Sequence, residues 1–147
     1  MGDHVTEEHL FHGTLFENIS MGREDVTLQE VIDVCKEVLL SDYLQMLPEG
    51  LNTVVASDGE NLSQGIIKKI ILARCIVDRP KLVATEPLLY NMDLEQKRRI
   101  IDILTNRRNP WTLCSVSRSA QLAQACDKVL VLDQGKIIFF GPFEEVK

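Results

Sequence analysis

The spacing of apolar positions changes midway along the chain. Between residue 15 and about residue 55, Leu28, Val31, Ile32, Cys35, Val38 and Leu39 recur every three or four residues, which predicts an amphipathic helix. Thr27 offers its hydroxyl as N-cap, and Glu30, three residues on, completes a capping box. Pro48-Glu49-Gly50 predicts a turn, followed by a short extended segment at residues 51–55. Beyond residue 78 the pattern alternates. Residues 81–85 and 111–116 predict two buried strands, and residues 120–125 a short helix. Residues 93–104 place Ile100, Ile101 and Leu104 on one side of a helix that Asp93 caps. Residues 128–132 and 136–140 flank Asp133-Gln134-Gly135, a hairpin pattern. Strand, helix, strand, helix and hairpin predict an α/β fold. Its sheet is expected to be mainly parallel with an antiparallel edge, behind a mostly helical insert or subdomain.

Composition narrows the class. The chain has 147 residues, 45% of them hydrophobic, enough for one globular domain with a core and too apolar for a disordered chain. Apolar runs such as Val129-Leu130-Val131-Leu132 fall far short of the roughly 18 residues that a membrane span requires. No charged-then-apolar leader opens the sequence, so a cytoplasmic location is expected. Sixteen basic residues against 22 acidic ones leave a net charge of -6, which argues against nucleic acid as a partner but leaves room for a local anion site. Cys35, Cys75, Cys114 and Cys126 form no CxxC pair and stand beside apolar residues. They are expected to be buried free thiols in a reducing compartment. His4, His9 and His12 fit no single helical face, and no metal site is expected from them.

Five stretches carry the functional signal. Leu62-Ser63-Gln64-Gly65 leads into an Ile-rich basic segment that ends at Ala73-Arg74. A Ser and a Gly at a helix start present a hydroxyl and free backbone N–H groups at the positive end of the helix dipole, where a phosphate can bind. Alone, such a pattern is an ordinary Ser N-cap. It is accompanied by Leu10-Phe11-His12-Gly13-Thr14-Leu15-Phe16-Glu17-Asn18-Ile19, by Leu47-Pro48-Glu49-Gly50-Leu51-Asn52-Thr53-Val54-Val55, by Asp93, and by Val129-Leu130-Val131-Leu132-Asp133-Gln134-Gly135-Lys136-Ile137. In order and spacing these resemble the nucleotide-binding domain of exporter-type ATP-binding-cassette (ABC) transporters. Residues 62–74 are similar to its LSGGQ signature helix, residues 10–19 to its LFxGTxxENI, residues 47–55 to its LPxGxxTxV, Asp93 to its D-loop aspartate, and residues 129–137 to its closing VLDxGxI hairpin.

The departures from that pattern matter as much. In the family a strand ends in a magnesium-organising Asp followed by a catalytic Glu. A gapless match puts Glu86 at the Asp and Pro87 at the Glu; a one-residue shift puts Thr85 and Glu86 there instead. The gapless match keeps Asp93 at its family distance. In either register one carboxylate of the pair is missing, and Pro can neither accept a proton nor position water. Ser117 stands where the family has its switch histidine. Gln64 replaces the first signature Gly, Ile66 replaces the signature Gln, and Thr6-Glu7-Glu8 holds no Gln where the glutamine loop belongs. The chain also contains no GxxxxGK[ST] phosphate loop; its Gly135-Lys136 lies in the hairpin.

The resemblance thus implies about the C-terminal two-thirds of the family's domain, in degenerate form. It implies a partial P-loop NTPase (RecA-like) core with a mainly parallel sheet plus a helical subdomain, the N-terminal phosphate-loop part being absent. Residues 1–14 would end the glutamine-loop region, residues 15–77 would form the helical subdomain with the signature helix, and residues 78–147 would form the C-terminal α/β core portion. It implies ATP and Mg²⁺ as cofactors, and as partners a second nucleotide-binding domain and a transmembrane transporter domain. The latter would place the chain at the inner face of a membrane. By carry-over, Ser63, Gln64 and Gly65 of the signature and Asp93 of the D-loop are the cofactor-binding residues. Glu86, at the Walker B position, would be a weak Mg²⁺ ligand, and Glu86 and Ser117 hold degenerate catalytic positions. The expected function is an ATP-binding fragment without catalysis of its own, lending its signature to ATP bound by another chain. The alternative is a non-catalytic interaction or regulatory module; a third reading is an excised piece of a longer, active transporter. Missing N-terminal strands would leave sheet surface exposed, so self-association is expected.

Overall fold

Thr14 and Thr27 open two helices by the same device. Each hydroxyl accepts the backbone N–H of the Glu three residues on, and that Glu carboxylate accepts the Thr backbone N–H in return. The capping box read at Thr27 and Glu30 is therefore present, and a second one stands at Thr14 and Glu17. The computed structural model describes residues 9–85 and 92–146. In chain order the elements are β1 (Gly13–Thr14), α1 (Leu15–Ser20), α2 (Leu28–Glu37), α3 (Ser41–Met46), β2 (Val54–Val55), α4 (Gln64–Ile76), β3 (Leu82–Thr85), α5 (Leu94–Thr105), β4 (Thr112–Ser115), α6 (Ala120–Ala125), β5 (Val129–Asp133) and β6 (Lys136–Gly141).

The core is built around α4. Ile67 and every residue from Lys69 to Ile76 are buried, because α1 and α2 both pack against this helix. Its flanks meet Leu15 and Ile19 of α1 and Val31, Val34 and Cys35 of α2, in one apolar cluster that reaches Val83, Ile100, Leu104 and Trp111. The buried Lys69 donates its ammonium to the Leu39 carbonyl. Leu39 lies just past α2 in the left-handed conformation, φ 63°, and the Leu40 N–H reaches back to the Cys35 carbonyl. That is the Schellman ending of a helix, with Leu where Gly is usual. Arg79, just past the end of α4, ties back to the end of α2 by a two-pronged ion pair with Glu37 while its guanidinium lies over the Trp111 ring.

The fold is α/β, with a parallel pair and antiparallel pairs, as the sequence pattern predicts. β3 and β4 run parallel from Leu82↔Thr112 to Thr85↔Ser115, and β5 and β6 form an antiparallel hairpin. Gln134 and Gly135 both have positive φ, 46° and 76°, as the two-residue primed turn requires. Among the described residues no helix is long and apolar enough to cross a membrane.

Several local expectations are corrected. The hairpin is not the edge of the parallel sheet: the described strands form three separate two-stranded sheets, the third being β1 with β2. β3 and β4 are not buried strands. Val83 and Thr85 turn inward, but Leu82 is 48% exposed and β4 alternates between exposed and half-buried, because the apolar cluster covers one face only. Leu28 counted toward the apolar stripe of α2, yet it is 57% exposed at the helix start, and Val34 takes an inward position instead. Within residues 51–55 only Val54–Val55 is a strand, since Gly50–Asn52 winds into a 3₁₀ turn. Of the four thiols, Cys35 and Cys75 are buried, and burial pushes them up to about 12 and about 11. Cys114, on the uncovered β4, is exposed, and Cys126 is half-buried.

Candidate functional site

The signature candidates sit together at the start of α4. Ser63 is its N-cap, with extended backbone and a hydroxyl that accepts the Ile66 N–H at 3.4 Å. The Ile66 and Ile67 N–H groups bond the Ser63 carbonyl. Gln64 and Gly65, the first two helical residues, have N–H groups with no intrahelical acceptor. Ser63 and Gln64 are exposed, and a Cβ added at Gly65 would meet no atom within 4 Å. The helix start is thus open to solvent and presents a hydroxyl and two free N–H groups, the donor set a phosphate oxygen needs.

The loop that delivers Ser63 is tightly wound. Residues Ser57–Gly59 form a 3₁₀ turn in which Asp58 and Gly59 have positive φ, 57° and 69°. A Cβ at Gly59 would come within 3.0 Å of Ile67, so glycine there serves both the backbone angle and the close approach to α4. Asn61 accepts the Ala56 N–H and Leu62 N–H bonds the Gly59 carbonyl, which closes the loop on itself.

A second group gathers at the carboxyl ends of the parallel strands, where α/β sheets place their ligands. Thr85 Oγ1 lies 2.9 Å from Ser115 Oγ, and the Val116 N–H bonds the Thr85 carbonyl at 3.0 Å. Two residues on, Ser117 accepts the Ser119 N–H, and Ser119 caps α6. Asp93 is the N-cap of α5 and accepts the Gln96 N–H at 2.8 Å. The pairing brings Thr85 beside the Ser117 loop. Glu86 and Pro87 lie outside the described residues, as do Thr6, Glu7, Glu8 and His4.

The phosphate side of ATP fits what is present at α4. A complete nucleotide site does not, because no lysine-bearing phosphate loop occurs in the sequence. Among the described residues no three or more His, Cys, Asp or Glu gather in one place, and Glu86, the Mg²⁺ ligand that the resemblance implies, lies outside them. His9 pairs with Asp58 at 3.0 Å. Asn18 and Arg74 carry no role in the motif pattern. Both are buried, and Arg74 donates to the Asn18 carbonyl and side-chain oxygen. An arginine in an otherwise Ile-rich helix was the available signal.

No family profile matches the chain. Individual proteins do. Over 142 residues, 95% of this chain, it is 32% identical to the ABC multidrug transporter mdr1 of Aspergillus fumigatus, and it covers 10% of that protein. It is 28% identical over 137 residues to the uncharacterized ABC transporter ATP-binding protein YfiB of Bacillus subtilis, covering 93% of this chain and 24% of that one. Among solved structures, a bacterial Atm1-family ABC exporter with ATP bound superposes with a TM-score of 0.84 and 26% identity. That match takes in 92% of this chain and 24% of the exporter chain. The chain therefore spans between a tenth and a quarter of the length of these relatives.

Proposed function

Because the chain is a homologue of the ABC transporters along nearly its whole length, we propose that it is a segment of a transporter-related ATP-binding domain whose working part is the start of α4. Ser63 and the N–H groups of Gln64 and Gly65 contact the γ-phosphate of an ATP held by a second nucleotide-binding domain, and Asp93 lies toward that partner. The observation that carries this reading is the open helix start, with its hydroxyl, its two N–H groups and clear space at Gly65. A transmembrane partner would hold the chain at the inner face of the membrane. Residues 15–77 would act as the helical subdomain and residues 78–147 as the α/β portion.

The 147 residues by themselves do not hydrolyse ATP on this reading. They hold no phosphate loop, and with Pro87 at the catalytic carboxylate and Ser117 at the histidine position no group is in place to orient the attacking water. Glu86 contributes weakly to Mg²⁺ at most. A second reading, a non-catalytic interaction module, is favoured by one observation: Ser63, Asp93 and Ser117 all accept local backbone N–H groups, as structural caps do. In isolation the chain is also proposed to self-associate through the exposed apolar hairpin.

Calorimetric titration with Mg-ATP separates the two. Heat released only when an intact partner domain is mixed in, and lost in Ser63→Ala, supports the signature role. Absence of binding in both arrangements supports the interaction module. Turnover by the purified chain that survives Ser63→Ala would overturn the non-catalytic assignment.

A further inference from the structure

Residues 9–12 join two parts of the molecule that the signature depends on. On one side Leu10 accepts the Asp58 N–H at 2.7 Å, His9 pairs with Asp58, and the Leu10 side chain packs where a Cβ on Gly59 would lie 3.3 Å away. These contacts fall on the wound loop that delivers Ser63. Its remaining backbone hydrogen bonds are local. On the other side Arg74 of α4 donates to the His9 carbonyl at 3.1 Å, and its guanidinium lies 5.8 Å from the centre of the Phe11 ring.

Arg74 is only 8% exposed and reaches back along the helix, as helical side chains do. Two more of its donors are spent on the Asn18 carbonyl and side-chain oxygen, at 2.8 and 3.1 Å. The Asn18 amide then holds the same segment by a reciprocal pair, accepting the Phe11 N–H at 3.1 Å and donating to the Phe11 carbonyl at 3.0 Å. One buried cation and one buried amide thus tie residues 9–12 to α4. Removing the cation takes away the Arg74 donors to the His9 and Asn18 carbonyls and one of the two donors that the Asn18 side-chain oxygen accepts.

We propose that residues 9–12 are a strap that positions the signature loop, with Arg74 as the residue that holds the strap. The consequence for nucleotide contact rests on the signature reading above; the strap itself does not. Its hold is on the loop of residues 56–62, and through that loop on the direction of the Ser63 hydroxyl and the Gly65 N–H.

Hydrogen exchange on the full chain tests this. Arg74→Met is expected to raise exchange about tenfold in both residues 9–14 and residues 56–66, because both are released together. Arg74→Lys restores a donor and most of the protection. Ile70→Val, a core change away from the strap, raises neither segment selectively. Acceleration confined to residues 70–77, or spread evenly along the chain, would overturn the proposal. Should Arg74→Met fail to fold, Phe11→Ala removes the ring over Arg74 from an exposed position, and unchanged exchange at residues 56–66 in that variant overturns it equally. In the mixture with an intact partner domain and Mg-ATP, Arg74→Met should weaken apparent nucleotide affinity. No binding by the unaltered chain removes the signature reading while the exchange result still decides the strap.

Discussion

Helix α4 and the β5–β6 hairpin are comparably apolar in sequence and opposite in circumstance. From Lys69 to Ile76 every residue of α4 is buried, whereas Leu132, Ile137, Ile138 and Phe140 of the hairpin are each more than 60% exposed. The helix is wrapped by α1 and α2, whereas among the described strands those of the hairpin pair only with each other. Its strands are continuous apolar runs, the pattern of strands covered on both faces, not the alternation of a strand with one wet face. An apolar stretch states what gains by being covered, and its neighbours decide whether it is. Here the difference marks where the molecule holds itself together and where it offers surface.

Substitutions can break that comparison. The largest effect is expected at Ile70, fully buried in α4: Ile70→Ala should cost about 2–5 kcal/mol in urea unfolding, through lost burial and an unfilled cavity. A cost below about 1 kcal/mol would mean that α4 is not the centre of the core. The hairpin should answer differently. Phe140→Ser is expected to change unfolding free energy by no more than about 0.5 kcal/mol. The same variant should shift sedimentation toward the monomer by weakening self-association. A stability loss comparable to that of Ile70→Ala would show the hairpin to be covered after all.

The smallest effect sharpens the helical side. The Thr27 N–H, and after it the Thr27 hydroxyl, holds the Glu30 carboxyl below its ordinary value. A carboxyl depressed in the folded state adds stability that is present above its unfolded value, about 4.3, and is lost as pH falls through the lower folded value. Glu30→Gln should therefore melt slightly below the unaltered chain at neutral pH, with the gap closing as acid protonates Glu30 in the folded state. A gap that stays constant through that protonation would mean that the charged capping carboxylate contributes nothing.

What could be read from the residues in order is what depends on near neighbours. Thr27 with Glu30, Asp93 ahead of its helix, the helix at residues 120–125, the hairpin turn and the Ser63 cap each involve groups a few positions apart, and each is found where the pattern places it. The burial of the parallel strands is not legible in the sequence, because a short apolar run looks the same whether one face or both are covered. The exposure of Cys114 on β4 is hidden for the same reason. The candidate site divides along this line too. The open start of α4 was legible, but the contact of Thr85 with Ser115 spans 30 positions and the grip of Arg74 on Asn18 spans 56.

The sequence by itself determined the helix behind Thr27, the helix starts at Ser63 and Asp93, the helix at residues 120–125, the hairpin and the likeness to the ABC transporters, because these rest on local hydrogen bonding and on motif spacing. Tertiary structure alone decided which apolar faces are covered, that a lysine and an arginine lie inside beside carbonyls that accept from them, and that His9 and Leu10 touch both α4 and the loop ahead of Ser63. Burial and long-range hydrogen bonds belong to pairs of segments, and no single segment specifies its partner.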